Sequence, residues 1–182
     1  EGQYAVINVE KMNIQSTDVS TNNSAISALV ASGRNATANV TDTTVTATAG
    51  RGIYARGGSV VLENVVITTK KAGSYGDCIS AAWGTGKVTA TGCTLTATGD
   101  AVVHVYSSGG TIEIRDSSLT RTDDGVLVKM SGGVSSVTLG ADVTLYGVKV
   151  SSIDWDTQLN TYVENAASVV KNADGSVTCT RT

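Results

Sequence analysis

Small and apolar residues recur along the chain in short bursts separated by polar turns, with a period of roughly 20 to 30 residues, the signature of a solenoid. Five segments open such a unit, at residues 24–28, 51–55, 77–81, 100–104 and 124–128. A second strand follows with two-residue alternation, at 59–63, 87–91 and 111–115. This spacing places Val60 and Leu62, Val88 and Ala90, and Ile112 and Ile114 on one inward face. A small or polar corner comes next, at Asp42, Asn64, Gly92, Asp116 and Gly140. It leads into a third strand centred on Val45, Ile67, Leu95, Leu119 and Val143, which predicts an aliphatic ladder. An earlier unit fits the same template through Ile7, Val9 and Ile14.

One such unit cannot bury its apolar face alone, whereas stacked units form a continuous core. Three strands per unit, unequal corners and no hairpin turns predict an all-β fold in which neighbouring coils pair in parallel. The expected architecture is a right-handed parallel β-helix solenoid of about six three-stranded coils over residues 1–150, with a capping segment at 151–182. An ordinary β-sandwich would need hairpin signals between its strands. Beyond Gly147 the register breaks, and Leu159, Tyr162, Val163, Ala166, Ala167, Val169 and Val170 fit helical spacing as well as strand alternation. Both readings stay open for 156–171. Residues 172–175 read as a turn into a strand at 176–180, and the segment is expected to cover an end that would otherwise pair with other chains.

Composition agrees with strands. The 182 residues include no Phe and no Pro, are rich in Thr, Val, Ala, Ser and Gly, and carry 16% charged residues. A net charge of -3 with scattered Lys and Arg gives no basic stripe, so nucleic acid is not an expected partner. No apolar run approaches the roughly 20 residues that span a bilayer, so no membrane insertion is expected. The chain begins at Glu1 without a signal peptide, as a processed protein or a segment of a longer one would. Cys78, Cys93 and Cys179 allow one disulfide at most, and their spacing gives no metal motif; small buried thiols are the simpler expectation.

The wording of the coils, with G-I-Y-A at 52–55, V-L-E-N-V-V-I-T-T at 61–69 and V-T-L-G-A-D-V-T-L at 137–145, resembles the pectate-lyase-like superfamily of right-handed β-helices. More narrowly it resembles bacterial adhesin-like and autotransporter-passenger surface proteins. That resemblance covers roughly residues 4–150. It implies an extracellular or cell-surface module whose partners are glycans or other host or cell-surface molecules, with end-to-end self-association through the open first coil as a further expectation. Residues 76–80 and Asp123-Asp124-Gly125 are similar to the stretch around the paired aspartates of polygalacturonases. Neither Gly-His-Gly nor Arg-Ile-Lys is present, and that activity is not carried over.

Several residues are candidates for chemistry. Asp77, Asp100 and Asp124 are expected at the same coil position, about 4.8 Å apart, where they would cap turns or hold Ca²⁺, the one cofactor considered. Glu63 and Glu113 are expected outward on the second strands, near Arg115; with Asp100 and Asp124 they are the residues a lyase or glycoside hydrolase would use. His104, the single histidine, aligns with inward positions, although a one-residue shift placing Val103 and Val105 inside would turn it outward. Outward threonines (Thr46, Thr48, Thr68, Thr96, Thr98, Thr120, Thr122, Thr144) form the kind of array that ice-binding solenoids use, interrupted by Gln15, Lys70, Arg121 and Tyr146. Tyr54, Tyr75, Trp83 and Tyr106 come from successive coils in a chain with only 4% aromatics, and suit the apolar face of a sugar ring. The leading expectation is a non-enzymatic, glycan-binding surface module; a carbohydrate-active enzyme, a filament subunit and an ice-binding solenoid are the alternatives.

Overall fold

A computed structural model describes residues 4–17, 27–71, 75–147 and 158–182. The strands fall into three parallel sheets, one for each side of the coil. The opening sheet contains β3 (Ser27–Ser32), β6 (Arg51–Arg56), β9 (Ile79–Ala82), β12 (Ala101–Tyr106), β15 (Val126–Met130) and β18 (Val163–Glu164). The second contains β1 (Ala5–Glu10), β4 (Ala36–Thr41), β7 (Ser59–Glu63), β10 (Lys87–Thr91), β13 (Gly109–Arg115) and β16 (Val134–Leu139). The third contains β2 (Asn13–Ser16), β5 (Thr44–Ala47), β8 (Val66–Thr69), β11 (Thr94–Ala97), β14 (Ser118–Arg121) and β17 (Thr144–Tyr146). Each strand pairs with its counterpart one coil away, giving a parallel β-solenoid of about five turns, slightly fewer than the six expected. No antiparallel hairpin interrupts residues 50–125 among the described residues.

The alternation read from the sequence produces the core directly. On the second sheet, Val60, Val88, Ile112 and Val137 stack inward, with Leu62, Ala90, Ile114 and Leu139 beside them. On the third, Ile14, Val45, Ile67, Leu95 and Leu119 form the expected ladder. Every one of Leu62, Ile67, Leu95, Ile112, Ile114 and Leu119 is buried. The ladder ends differently from the expectation, because Leu119 pairs with Leu145 rather than Val143. The corner at Ala141-Asp142 is one residue longer than its predecessors, so Gly140 lies level with Arg115 and the turn follows it.

The corner between second and third strands explains its own residues. Lys11, Asp42, Asn64, Gly92 and Asp116 all have positive φ, between 48° and 65°, a region where Asn, Asp and Gly are the least penalised. Asn64 also donates from Nδ2 to Asp42 Oδ1 at 3.2 Å, linking neighbouring corners. At the start of the second sheet, Gly58, Gly86 and Gly110 stack one above another; a Cβ on Gly86 would lie 2.3 Å from the Ala55 carbonyl oxygen.

After the coils, a 3-10 turn (Leu159–Tyr162) leads into β18, and β19 (Ser168–Lys171) and β20 (Val177–Arg181) form an antiparallel hairpin whose β20 pairs with β16. Where it is described, the segment at 156–171 is a 3-10 turn followed by two short strands, with no α-helix. Ser24 in the first opening segment and Trp155 in the register break lie outside the described residues.

Candidate aromatic cleft and charge network

The opening sheet departs from a simple solenoid wall because its middle strands, β6, β9 and β12, are covered on both faces, whereas Val30 on β3 is exposed. Ile53, Ile79, Val103 and Val128 point into the core, as do Ala55, Ala81, Val105 and Met130. The outward column is Tyr54, Ser80, His104, Lys129 and Glu164. His104 thus takes the shifted register and faces outward, yet it is only 4% exposed.

Asp77, Asp100 and Asp124 do not form one column. Counting back from the pair Ile79–Val103, Asp77 lies level with Ala101; counting back from Ala101–Val126, Asp124 lies level with Gly99. Each coil's opening loop changes length, which staggers the three. Asp77 and Asp100 nevertheless converge on His104, whose Nδ1 is 3.2 Å from Asp77 Oδ1 and 3.4 Å from Asp100 Oδ2. Asp124 is exposed and stands apart from that cluster.

Asp77 is fully buried. It accepts from Ser80 Oγ at 2.9 Å and faces Arg51 Nε at 3.4 Å. Asp100 accepts from Lys129 Nζ at 2.6 Å. Burial opposes the Asp100 charge, but hydrogen bonds from His104 and Lys129 outweigh it and hold the carboxyl far below its ordinary range. Burial likewise opposes a charged His104, and the hydrogen bonds it donates to Asp100 and Asp77 outweigh it, raising the imidazole pKa. The opposite ring atom, Nε2, contacts the Ser131 hydroxyl.

Asp77, Asp100 and His104 are the one group of metal-ligand type among the described residues. They fit Ca²⁺ poorly. Arg51 and Lys129 already neutralise the two carboxylates, and His104 occupies the space between them, whereas Ca²⁺ takes six to eight oxygen ligands.

Beside the network lies an open cleft of about 310 Å³ lined by Arg51, Tyr54, Arg56, Tyr75, Trp83, Tyr106 and Ser107. All four aromatic candidates meet here. Tyr54 and Tyr106 stack at 5.4 Å between centroids, and Tyr75 meets Tyr106 edge-on at 6.4 Å. The Arg51 guanidinium lies 4.3 to 5.0 Å from the centroids of all three tyrosines, and Arg56 lies 4.2 Å over Trp83. Arg51 is 2% exposed, and among the described residues neither its Nε nor the buried Tyr106 hydroxyl has a hydrogen-bond partner of good geometry. Burial is the main reason that hydroxyl resists ionisation.

Three of the seven lining residues hold left-handed backbone: Tyr75 at φ 67°, Trp83 at 68° and Ser107 at 63°. Gly33 and Gly57 take the same φ sign at the turn after β3 and after β6, where Trp83 and Ser107 follow β9 and β12. A bulky residue in that position costs of order 1 to 3 kcal/mol, a strain that clusters at functional sites.

The remaining candidates separate. Glu63 is exposed on β7 and falls in register, through Thr91, with Arg115; Glu113 is offset from it by two residues and binds Arg115 on its own strand at 2.7 Å. All three belong to the second sheet, away from Asp100. Arg121 points inward, buried against the Gly99 carbonyl and Asp123, and so does not interrupt the threonines. The three thiols are buried and free; burial pushes Cys78 and Cys179 up to about 12.

Sequence reading missed Arg51, Arg56, Lys129 and Ser131. One signal was available: Arg51 opens its strand where the next coil has Asp77, a cation beside an anion in adjacent parallel strands. No family model, no curated protein and no solved structure matches the chain.

Proposed function

We propose that the protein is an extracellular or cell-surface glycan-binding module, adhesin-like in role and built on a pectate-lyase-like β-helix. The observation that carries this reading is the cleft in which Tyr54, Tyr75, Trp83 and Tyr106 meet beside Arg51 and Arg56. Aromatic faces cover the apolar side of a sugar ring, while guanidinium N–H groups bind its hydroxyls or an anionic substituent. Left-handed backbone at Tyr75 and Trp83 supports it, because stacking of the solenoid does not require an aromatic at either turn.

Cleavage of glycosidic bonds is the weaker alternative. It needs an acid and a base at a defined separation, and here Asp100 is held in ion pairs while Glu63, Glu113 and Arg115 lie on another sheet. A glycan array run with and without Ca²⁺ tests the proposal. Binding that is independent of Ca²⁺ and lost in Trp83→Ala is expected; binding unchanged by Trp83→Ala, or no binding to any glycan, would overturn it.

A second reading is favoured by the third sheet, where Thr46, Thr68, Thr96 and Thr120 stand in one unbroken column. Such a face suits ordered water, and thermal hysteresis measured on the purified chain decides it. End-to-end association would use the free edge of β1, where Val6 and Ile7 are exposed, and sedimentation velocity at high concentration decides that.

A further inference from the structure

His104 joins two carboxylates to one hydroxyl. Its Nδ1 faces Asp77 and Asp100, and its Nε2 contacts Ser131 Oγ. The sequence builds this diagonally: Ser131 follows Met130, which pairs with Val105, so the serine lies level with Tyr106 and two residues along from the position opposite His104. Ser131 N–H donates to the Val105 carbonyl at 2.8 Å, which fixes the residue at the end of the sheet. The imidazole is buried and Ser131 is exposed, so the hydroxyl meets solvent while the base behind it does not.

The next two residues are glycines held tightly. A Cβ on Gly132 would lie 1.8 Å from the Ser107 carbonyl oxygen, and one on Gly133 would lie 2.3 Å from Ser108 backbone atoms. Neither glycine N–H donates to a backbone acceptor among the described residues.

We propose that Ser131 is a nucleophile and His104 its general base, positioned by Asp77 and Asp100, in a serine-esterase centre that accepts carboxylic esters with a small acyl group. Nucleophile, base and orienting carboxylates within hydrogen-bond reach of one another are the geometry such a centre requires. Ser131 Oγ attacks the ester carbonyl carbon as Nε2 takes the hydroxyl proton. The tetrahedral adduct collapses, the C–O bond to the alcohol breaks, and Nε2 returns the proton to the departing alkoxide. Water then attacks acyl-Ser131 by the same route and releases the carboxylic acid and free serine. This chemistry is independent of what the aromatic cleft holds.

Charge around the imidazole sets its pH dependence. Asp77 before β9 and Asp100 before β12 favour the cation, while Arg51 on β6 and Lys129 on β15 oppose it, and the Tyr106 ring lies 5.0 Å away. The net effect of burial and these partners is a raised pKa. Below it, Nε2–H donates to Ser131 and the hydroxyl is idle; above it, Nε2 accepts the serine proton. Reactivity therefore rises with pH, at a higher pH than an ordinary imidazole would give.

Incubation of the full chain with a fluorophosphonate and with p-nitrophenyl acetate between pH 6 and pH 9.5, followed by peptide mass spectrometry, tests this. The expected result is one phosphonyl adduct, on Ser131, formed faster as pH rises. Ester turnover should be lost in Ser131→Ala and reduced by about 100-fold or more in His104→Gln. Asp100→Asn should move the alkaline rise to lower pH, a shift that loss of structure alone would not produce. Should His104→Gln fail to fold, Ser131→Cys replaces it: its thiol, paired with His104, should react with iodoacetamide at pH 6, where the three buried cysteines do not. No adduct up to pH 9.5, an adduct on another residue, equal labelling in a folded His104→Gln protein, or an unreactive Ser131→Cys overturns the proposal.

Discussion

Replacing Asp77 by Asn keeps the side chain's volume and removes its charge, which isolates what that charge does. Asp77 is fully buried, and it is the one ion-pair partner of Arg51, 2% exposed, among the described residues. The variant leaves a buried guanidinium without that carboxylate, against three tyrosine rings. Breaking a buried pair from one side costs about 3 to 5 kcal/mol, a large share of the 5 to 15 kcal/mol typical of a domain. Removing both charges costs less than the sum, because the isolated cation goes with its partner. Arg51→Met combined with Asp77→Asn should therefore fall short of additivity by about 1 to 3 kcal/mol. Urea denaturation of the four proteins, followed by tyrosine and tryptophan fluorescence, measures the cycle. An Asp77→Asn loss below about 1 kcal/mol, or strict additivity, would refute the view that this network is tightly coupled.

The same network gives stability a pH window. His104, with its raised pKa, contributes fully below its unfolded value and loses that contribution as pH rises through the folded one, whereas Asp100, with its lowered pKa, contributes above its unfolded value and loses it as pH falls. Melting temperature should accordingly fall on both sides of the mildly acidic range, and in Asp77→Asn the alkaline limb should be shallower. Leu95→Ala, in the middle of the third-sheet ladder, should cost about 2 to 5 kcal/mol by chemical denaturation. Trp83→Gly relieves left-handed strain at an exposed side chain, so stability should stay within about 1 kcal/mol of the parent while glycan binding disappears.

The fold was legible because stacking imposes one requirement on every coil. A strand that faces a core on one side and solvent on the other must alternate, and Val60/Leu62, Val88/Ala90 and Ile112/Ile114 do so without exception. The aromatic cleft was legible for a different reason: in a chain with six tyrosines and two tryptophans, four from successive coils stand out. Asp77, Asp100 and Asp124 mislead because opening a segment in the sequence does not fix height in the coil. The corner loops differ in length, and a one-residue change moves a side chain to the other face of its strand. Contacts such as His104 to Ser131 run diagonally between strands, a relation that a column-by-column reading does not display.

Where the charges lie is itself an argument about function. The second and third sheets are mainly apolar inside, with Thr69, Arg121 and Ser135 as buried exceptions, and the third presents Thr46, Thr68, Thr96 and Thr120 in one outward column. The opening sheet buries its outer face too, and fills it with Arg51, Asp77, His104 and Ser80 rather than apolar residues. For stability this is a poor exchange, since well-packed hydrophobic residues of similar volume are often as good as a buried ion pair or better. Stacking does not demand a cluster of this size either, because among the described residues the third sheet carries one buried charged side chain, Arg121 paired with Asp123, and the second sheet none. The concentration of Arg51, Asp77 and His104 on the opening sheet, beside a cleft whose rim carries left-handed aromatic residues, is what supports the proposed binding role, because strain of that kind clusters at functional sites.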